Sequence, residues 1–216
     1  MRVAILTGAN KTQEEILFAT HEGKAALSDY FGWDLITATD KNYASHPHPS
    51  WQKIDLIRQK LHAYDAILWL DADSFVTNPK ACPMPSETAF TISADWCEPT
   101  PINPEKRWIS CGNFWTVNKP EAWQYFEHME KFKSIYANRS CCCWEQDAFH
   151  QVLWRSKLGR EVTILPRTAM NSVKCSKEGI STRHVYEAGD FLCHLTNVPD
   201  RMSYIPQLKK DLSQNT

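Results

Sequence analysis

Two aspartates separated by one residue follow a continuous apolar run in the first half of the chain. The run is AILWL at residues 66–70, and Asp71 and Asp73 come directly after it. An apolar run without alternation is typical of a strand buried on both faces of a sheet. Two carboxylates this close repel each other unless a cation lies between them. The pair therefore predicts oxygen ligands for a hard divalent cation at the carboxyl end of a central strand, where open α/β folds bind ligands.

Size and charge limit the classes of protein that the chain can represent. Its 216 residues carry a formal net charge of −1, so no basic surface predicts a nucleic-acid or anionic-membrane partner. The length suits one α/β domain, and we expect a single domain over residues 1–216. No apolar run approaches the roughly 18 residues of a membrane span, and the N-terminal run is too short for a signal peptide. We expect a cytoplasmic protein, or a soluble domain of a longer one.

The eight cysteines give no metal or disulfide pattern. None forms a C-x-x-C pair, and Cys141, Cys142 and Cys143 are consecutive, which suits neither a zinc knuckle nor a disulfide framework. Without a secretory signal, reduced and mostly buried thiols are expected. The glycosylation sequon at residues 138–140 is therefore expected to be a chance match.

Strand and helix patterns alternate along the chain. The predicted strands cover residues 2–7, 33–37, 66–70, 88–94, 108–117, 161–165 and 190–195. The predicted helices cover residues 12–30 with Thr12 as N-cap, 51–63 with Ser50 as N-cap, 121–132, 144–156, and the chain from 199 onward. This alternation predicts an α/β fold with a mostly parallel central sheet flanked by helices on both faces.

Four motifs occur in the order typical of one enzyme family. Residues 50–79 place Trp51 and Lys53 on a helix ahead of the aspartate pair; CGNFW at 111–115, EQD at 145–147 and GDFLCH at 189–194 follow. Together they resemble the GT-A glycosyltransferases, and most of all the branch of galactosyl-, mannosyl- and xylosyltransferases. The resemblance spans nearly the whole chain and implies the Rossmann-like GT-A fold.

The resemblance also implies a metal site made of Asp71, Asp73 and His194. Two carboxylates and an imidazole favour Mn²⁺, with Mg²⁺ as the alternative, over Ca²⁺, which prefers all-oxygen ligands. The donor would be a nucleotide-diphospho-sugar, most simply a UDP-sugar, and the acceptor a carbohydrate or glycoprotein. A cation that bridges both phosphates stabilises the charge that develops on the leaving β-phosphate.

Donor-binding residues are expected beside the metal. Thr7, Gly8 and Ala9 end the first strand, and in the resembling family this segment contacts the base and ribose, although an ordinary strand-to-helix turn has the same pattern. Lys53 would add positive charge near the phosphates. Ala72, between the two aspartates, completes the predicted donor-binding set.

Gln146 and Asp147 are the favoured catalytic residues, with Glu145 as the competing carboxylate. The resembling branch retains anomeric configuration, and an amide or carboxylate beside the sugar could stabilise an oxocarbenium-like transition state. Acidic residues at a helix start often only complement the helix dipole, so that interpretation stays open for Glu145 and Asp147.

Two alternatives remain at this level. A haloacid-dehalogenase-type phosphatase also places D-x-D after a hydrophobic strand, but normally the first strand, whereas two strand–helix units precede it here. A non-catalytic sugar- or nucleotide-binding module with a structural metal is the other, and it would not need Gln146 and Asp147 beside the site.

Overall fold

The computed structural model describes residues 1–40, 48–95, 108–136, 143–174 and 185–216. The strands in these ranges are β1 (Val3–Gly8), β2 (Asp34–Ala38), β3 (Ala66–Leu70), β4 (Ser74–Val76), β5 (Phe90–Ala94), β6 (Ile109–Val117), β7 (Val162–Leu165) and β8 (Leu192–His194). The α-helices are α1 (Glu14–Phe31), α2 (Gln52–Leu61), α3 (Pro120–Tyr136), α4 (Glu145–Arg155), α5 (Arg167–Met170) and α6 (Ile205–Asn215).

Six strands form the central sheet in the order β2-β1-β3-β6-β5-β7. Strand β6 is antiparallel to its neighbours β3 and β5, whereas the pairs β1–β2, β1–β3 and β5–β7 are parallel. Strand β3 therefore lies in the interior of the sheet between β1 and β6, as its apolar run predicts. The predicted α/β fold with a mainly parallel sheet is confirmed.

Alternating side chains of the sheet build two cores. Ala4 and Leu6 of β1 belong to the core that α2, α3 and α4 cover, while Val3 and Ile5 belong to the core on the other face, to which α1 contributes Leu27. This division follows from the two-residue period of a strand. The apolar side chains at the start and along one face of α2 are fully buried, namely Trp51, Ile54, Ile57 and Leu61.

A separate two-stranded sheet joins β4 to β8, which run antiparallel and pair Ser74 with His194. Backbone hydrogen bonds fix its ends, because Leu195 N–H donates to Asp73 O at 2.9 Å and His194 N–H donates to Ser172 O at 2.7 Å. The predicted strand over residues 190–195 is shorter than expected and lies outside the main sheet. Its partner β4 was not predicted, since three residues are too few to show a period.

Both predicted N-caps are wrong. Residues Lys11–Gln13 form a 3₁₀ turn before α1, and the Thr12 hydroxyl bonds Asn10 Oδ1 at 2.8 Å instead of capping the helix. Before α2, His48 caps a 3₁₀ turn over Pro49–Trp51, because its Nδ1 accepts from the Ser50 backbone N–H at 3.3 Å, and α2 then begins without a side-chain cap. In each case a neighbouring side chain offers a competing local hydrogen bond.

The terminal helix begins at Ile205 and not at the predicted Pro199. Asp200 closes a turn in the intervening segment, since its backbone carbonyl accepts from the Ser203 hydroxyl at 2.9 Å. Pro206 then occupies the first turn of α6, a position that suits a residue without a backbone N–H.

The sequon at 138–140 and four of the eight cysteines lie outside the described residues; these cysteines are Cys97, Cys141, Cys142 and Cys175. Among the described cysteines, Cys82, Cys111 and Cys193 are buried free thiols, and Cys143 is exposed. Within the same ranges, no helix combines the length and apolar character that crossing a bilayer requires.

Helix α1 packs against β4 through a glycine that has no room for a side chain. A methyl group on Gly23 would lie 2.4 Å from the Val76 carbonyl oxygen. Gly23→Ala is therefore expected to lower the free energy of unfolding by about 1–3 kcal/mol through overpacking, measured by urea denaturation. Asp29→Ala, on the exposed face of α1, is the control and should change it by less than about 0.5 kcal/mol. A stabilised Gly23→Ala protein would contradict this packing.

Candidate active site

Three segments bring the predicted metal ligands together. Asp71 follows the end of β3, Asp73 precedes β4, and His194 ends β8. One ligand atom from each of these residues lies within 4.8 Å of the other two. The pairing of Ser74 with His194 produces this arrangement, because it places the last residue of β8 beside the aspartate loop. Two carboxylates and one imidazole at this spacing fit a divalent transition-metal cation.

The imidazole of His194 is oriented by its surroundings. Its Nδ1 lies 2.9 Å from Asn171 Oδ1, to which it can donate, and its Nε2 faces Asp73 Oδ1 at 3.3 Å. A hydrogen bond to the ring nitrogen that faces away from the aspartates orients the imidazole as a metal ligand would require. Gly112 of β6 leaves the space for the ring, since a methyl group there would lie 2.5 Å from His194 Cε1.

The two aspartates differ in their electrostatic environment. Burial favours the neutral form of Asp73, but His194 and Arg201 outweigh it and hold the pKa of Asp73 below its ordinary value. The Arg201 guanidinium lies 3.4 Å from Asp73 Oδ2. Burial raises the pKa of Asp71 although Lys53 opposes the rise, and the negative charge of Asp73 adds to it. Their mutual repulsion is the property that a bound cation would relieve.

Lys53 is buried and joins three segments around the site. Its Nζ lies 3.0 Å from Asp71 Oδ1, 2.9 Å from Glu145 Oε1 and 2.8 Å from the Cys111 carbonyl oxygen. Burial opposes its charge, yet the carboxylates raise the pKa of Lys53 above the ordinary value. The Trp69 indole N–H also donates to Asp71 Oδ1, at 2.7 Å. The orientation of Asp71 is thus set by two donors.

A second buried lysine, Lys24 of α1, contacts the backbone of the aspartate loop. Lys24 Nζ donates to Thr20 Oγ1 at 2.7 Å and to the Ala72 carbonyl oxygen at 3.3 Å. Burial lowers its pKa to about 7, although Asp73 and Asp71 oppose the change. Sequence reasoning missed Lys24, but a signal exists, because Leu17, Thr20 and Lys24 follow the helical spacing of the buried face of α1.

Two clefts meet at Asp71. The first has a volume of about 430 Å³, and Gly8 and Ala9 line it at the end of β1, together with Asp73 and Arg201. The second has a volume of about 310 Å³ and lies on the side of β6 and α4. Four residues line both clefts: Ser50, Lys53, Asp71 and Trp144. Thr7 is fully buried and is not among the lining residues of either cleft.

The three residues of the EQD motif differ in their surroundings. Glu145 lines the second cleft and pairs with Lys53. Gln146 also lines this cleft, but its amide accepts from Cys111 N–H at 2.8 Å and donates to Asp95 Oδ2 at 3.2 Å. Asp147 accepts from the backbone N–H of Cys143 at 2.9 Å and lines neither cleft. The geometry therefore favours Glu145 over Asp147 as the carboxylate of the site.

Trp144 stands between the two clefts in an uncommon backbone conformation. Its φ of 44° lies in the left-handed region that side chains with a Cβ rarely adopt. The indole stacks on the His48 imidazole with ring centroids 3.5 Å apart. Such outliers concentrate at functional sites. The sequence gives no signal for this conformation.

Removing the Lys53 ammonium would leave the buried carboxylate of Glu145 and the partly exposed carboxylate of Asp71 without their shared partner. Lys53→Met is expected to cost about 3–5 kcal/mol of unfolding free energy, measured by urea denaturation of the metal-free protein. Lys133→Met is the matched control, because Lys133 is more exposed and its pair with Glu130 at 3.4 Å is worth at most about 1 kcal/mol. A similar, small effect of both substitutions would show that the Lys53 network contributes little.

The depressed pKa of Lys24 gives a pH dependence with a defined sign. The folded protein releases this proton near pH 7, whereas the unfolded chain holds it until about pH 10.5. Stability from this group therefore rises with pH across that window. The free energy of unfolding of Lys24→Met relative to the parent should accordingly fall between pH 7 and pH 9, measured in chelator. Lys209→Met, at an exposed position, should show no such trend. A constant difference for Lys24→Met would place its pKa at the ordinary value.

Comparisons with known proteins identify the family of the chain. A family model described as nucleotide-diphospho-sugar transferase matches residues 34–195. No curated protein matches the chain by sequence. Among solved structures, a glycosyltransferase involved in glycosylation of the major capsid of PBCV-1 is similar at 14% identity and a TM-score of 0.66, with 97% of this chain and 100% of that chain covered.

Two further glycosyltransferase structures share the fold. The galactosyltransferase LgtC, in complex with donor and acceptor sugar analogues, has 11% identity and a TM-score of 0.56, with 98% and 95% of the chains covered. A mutant Drosophila β1,4-galactosyltransferase 7, in complex with manganese, UDP-Gal and xylobiose, has 13% identity and a TM-score of 0.53, with 91% and 72% covered. The family match spans the aspartate pair and His194, and the chain therefore belongs to the nucleotide-diphospho-sugar transferase family, as a glycosyltransferase with the GT-A fold.

Proposed function

We propose that the protein transfers a sugar from a UDP-sugar to a carbohydrate or glycoprotein acceptor, with Mn²⁺ or Mg²⁺ held by Asp71, Asp73 and His194. The convergence of these three ligand atoms within 4.8 Å carries the proposal. The mixed oxygen and nitrogen donors favour Mn²⁺. The manganese and UDP-Gal in the Drosophila neighbour support the same choice by analogy of fold.

The two clefts suggest how the donor lies. The nucleoside would occupy the larger cleft, where the backbone at Gly8 and Ala9 allows close approach, and the diphosphate would lie at Asp71 and Asp73. The sugar would then extend into the second cleft, which opens from the other side of Asp71. Of the predicted donor-binding residues, Thr7 would act only through the backbone, because its side chain is buried.

A bound cation would neutralise the charge that develops on the departing diphosphate. The chain's own residues prepare for that step. Arg201 adds a positive charge on the nucleotide side of Asp73. Lys53 holds Asp71 and Glu145 in fixed positions, so that little reorganisation is needed as charge develops.

We also propose that transfer proceeds with retention of anomeric configuration, as the family resemblance implies. Glu145 and Gln146 would face the sugar, and the Glu145 carboxylate would stabilise positive charge on the ring in an oxocarbenium-like transition state. Asp147 would act as a positioning residue, because its bond to Cys143 N–H holds the turn that leads into α4.

The phosphatase and the non-catalytic binding module were the two alternative functions, and only the binding module remains to be tested. Membership of the nucleotide-diphospho-sugar transferase family removes the phosphatase interpretation. A sugar-binding module without activity remains distinguishable by experiment, since it would bind a donor without releasing UDP. Glu145 and Gln146 beside the sugar cleft favour an enzyme.

Thermal unfolding tests the metal site together with the donor. A UDP-sugar at 100 times its Kd, with Mn²⁺, should stabilise the protein by about 2.7 kcal/mol. Asp73→Asn is expected to lose the Mn²⁺-dependent part of this stabilisation, because an amide is a poor ligand for a divalent cation. Melting temperatures are measured against a panel of nucleotide sugars with and without Mn²⁺, and UDP release reports turnover.

Asp29→Asn is the matched control, since the same change of charge on the exposed face of α1 should leave the Mn²⁺ effect intact. An undiminished effect in Asp73→Asn would remove Asp73 from the site. Binding of every donor without UDP release would favour the binding module.

A further inference from the structure

The second cleft is lined by an excess of negative groups. Its described lining residues include the carboxylates of Asp71, Asp95 and Glu145, against the single ammonium of Lys53. Asp95 and Glu145 are only 7% and 5% exposed, so solvent screens them little. His194 also lines this cleft, and in the proposed metal-bound state it would be a neutral ligand, while the two charges of the cation would be balanced by Asp71 and Asp73. Asp95 and Glu145, against the single charge of Lys53, are then the acidic groups left to face a sugar.

Lys53 has no capacity left for an anionic ligand. A lysine ammonium has three N–H donors. Its Nζ already contacts Asp71 Oδ1, Glu145 Oε1 and the Cys111 carbonyl oxygen at 3.0, 2.9 and 2.8 Å. A carboxylate entering the cleft would have to displace one of these acceptors, each of which is itself buried or at the metal site.

Glu145 offers the complementary chemistry. Its Oε1 pairs with Lys53, but its Oε2 is buried without a hydrogen-bond partner among the described residues. A buried acceptor that lacks a donor costs free energy until a ligand supplies one. A sugar hydroxyl supplies a donor, whereas a carboxylate at neutral pH supplies only a second negative charge.

We infer that the donor sugar is an uncharged sugar and that the second cleft rejects uronic acids. This inference rests on the proposed function and adds the class of sugar to it. The unpartnered Glu145 oxygen selects for a hydroxyl, while Asp95 and Glu145 together repel a carboxylate on the sugar ring. The cleft excludes a negative charge on the sugar ring and does not distinguish neutral hexoses from neutral pentoses.

Donor pairs that differ at one carbon test this directly. UDP-glucose and UDP-glucuronate share the nucleotide, the diphosphate and the ring, and differ only in a hydroxymethyl group or carboxylate at C6; UDP-galactose and UDP-galacturonate form a second pair. Dissociation constants are measured by calorimetry at pH 7.5 with Mn²⁺, with UDP alone as reference. The uronate of each pair should bind at least about tenfold more weakly than its neutral partner.

Variants assign the selectivity to the cleft. Asp95→Asn preserves the size of the side chain and should narrow the gap between uronate and neutral donor, and Glu145→Gln should narrow it further by freeing part of the Lys53 charge. Asp29→Asn should leave the gap unchanged. Melting curves without ligand show whether each variant is folded. If Glu145→Gln does not fold, Asp95→Asn alone tests whether the cleft causes the selectivity.

The outcomes separate this inference from the proposed function. Uronates that bind as tightly as their neutral partners would overturn the inference and leave the glycosyltransferase proposal standing. An unchanged gap in both cleft variants would also overturn it. Failure of UDP and every donor to bind with Mn²⁺ would instead contradict the proposed function, and the inference would fall with it.

Discussion

Repulsion between Asp71 and Asp73 is the constraint that the rest of the site depends on. The fold answers it with cationic side chains from several segments: Lys53 on α2 contacts Asp71, while Arg201 and the imidazole at the end of β8 contact Asp73. Lys24 lies behind the loop on α1. These charges hold the aspartate loop in place, so the site would be preorganised for the cation and the diphosphate that we propose.

The sheet delivers this loop to the right place. Strand β3 is apolar on both faces and lies between β1 and β6, so its end reaches the middle of the sheet edge where the two clefts meet. Strand β6 runs antiparallel beside it and contributes Gly112, where the absence of a side chain admits the imidazole. The short sheet of β4 and β8 then sets the distance between His194 and the aspartates.

Features that a local pattern determines were predictable from sequence, and those that depend on distant partners were not. The apolar run before Asp71 indicated the central strand and placed the aspartate pair at its carboxyl end. By contrast, nothing local shows that Lys53 points inward, because on a helix this depends on which face packs against the sheet. The amide of Gln146 turns toward the Cys111 backbone for the same reason. The caps were mistaken because Asn10 and His48 bond the hydroxyl groups of Thr12 and Ser50, which were expected to cap the helices.

The three proposed ligands are far apart in the sequence, with the aspartates in the first half of the chain and the imidazole near its end. An ion coordinated by all three side chains would thus be a removable cross-link that closes the polypeptide between the aspartates and His194 into a ring. Closing a long ring restricts the unfolded chain more than closing a short one. Binding of the ion would thereby stabilise the folded chain and oppose the detachment of β8 from the aspartate loop, so the attachment of this C-terminal strand would depend on the supply of the ion.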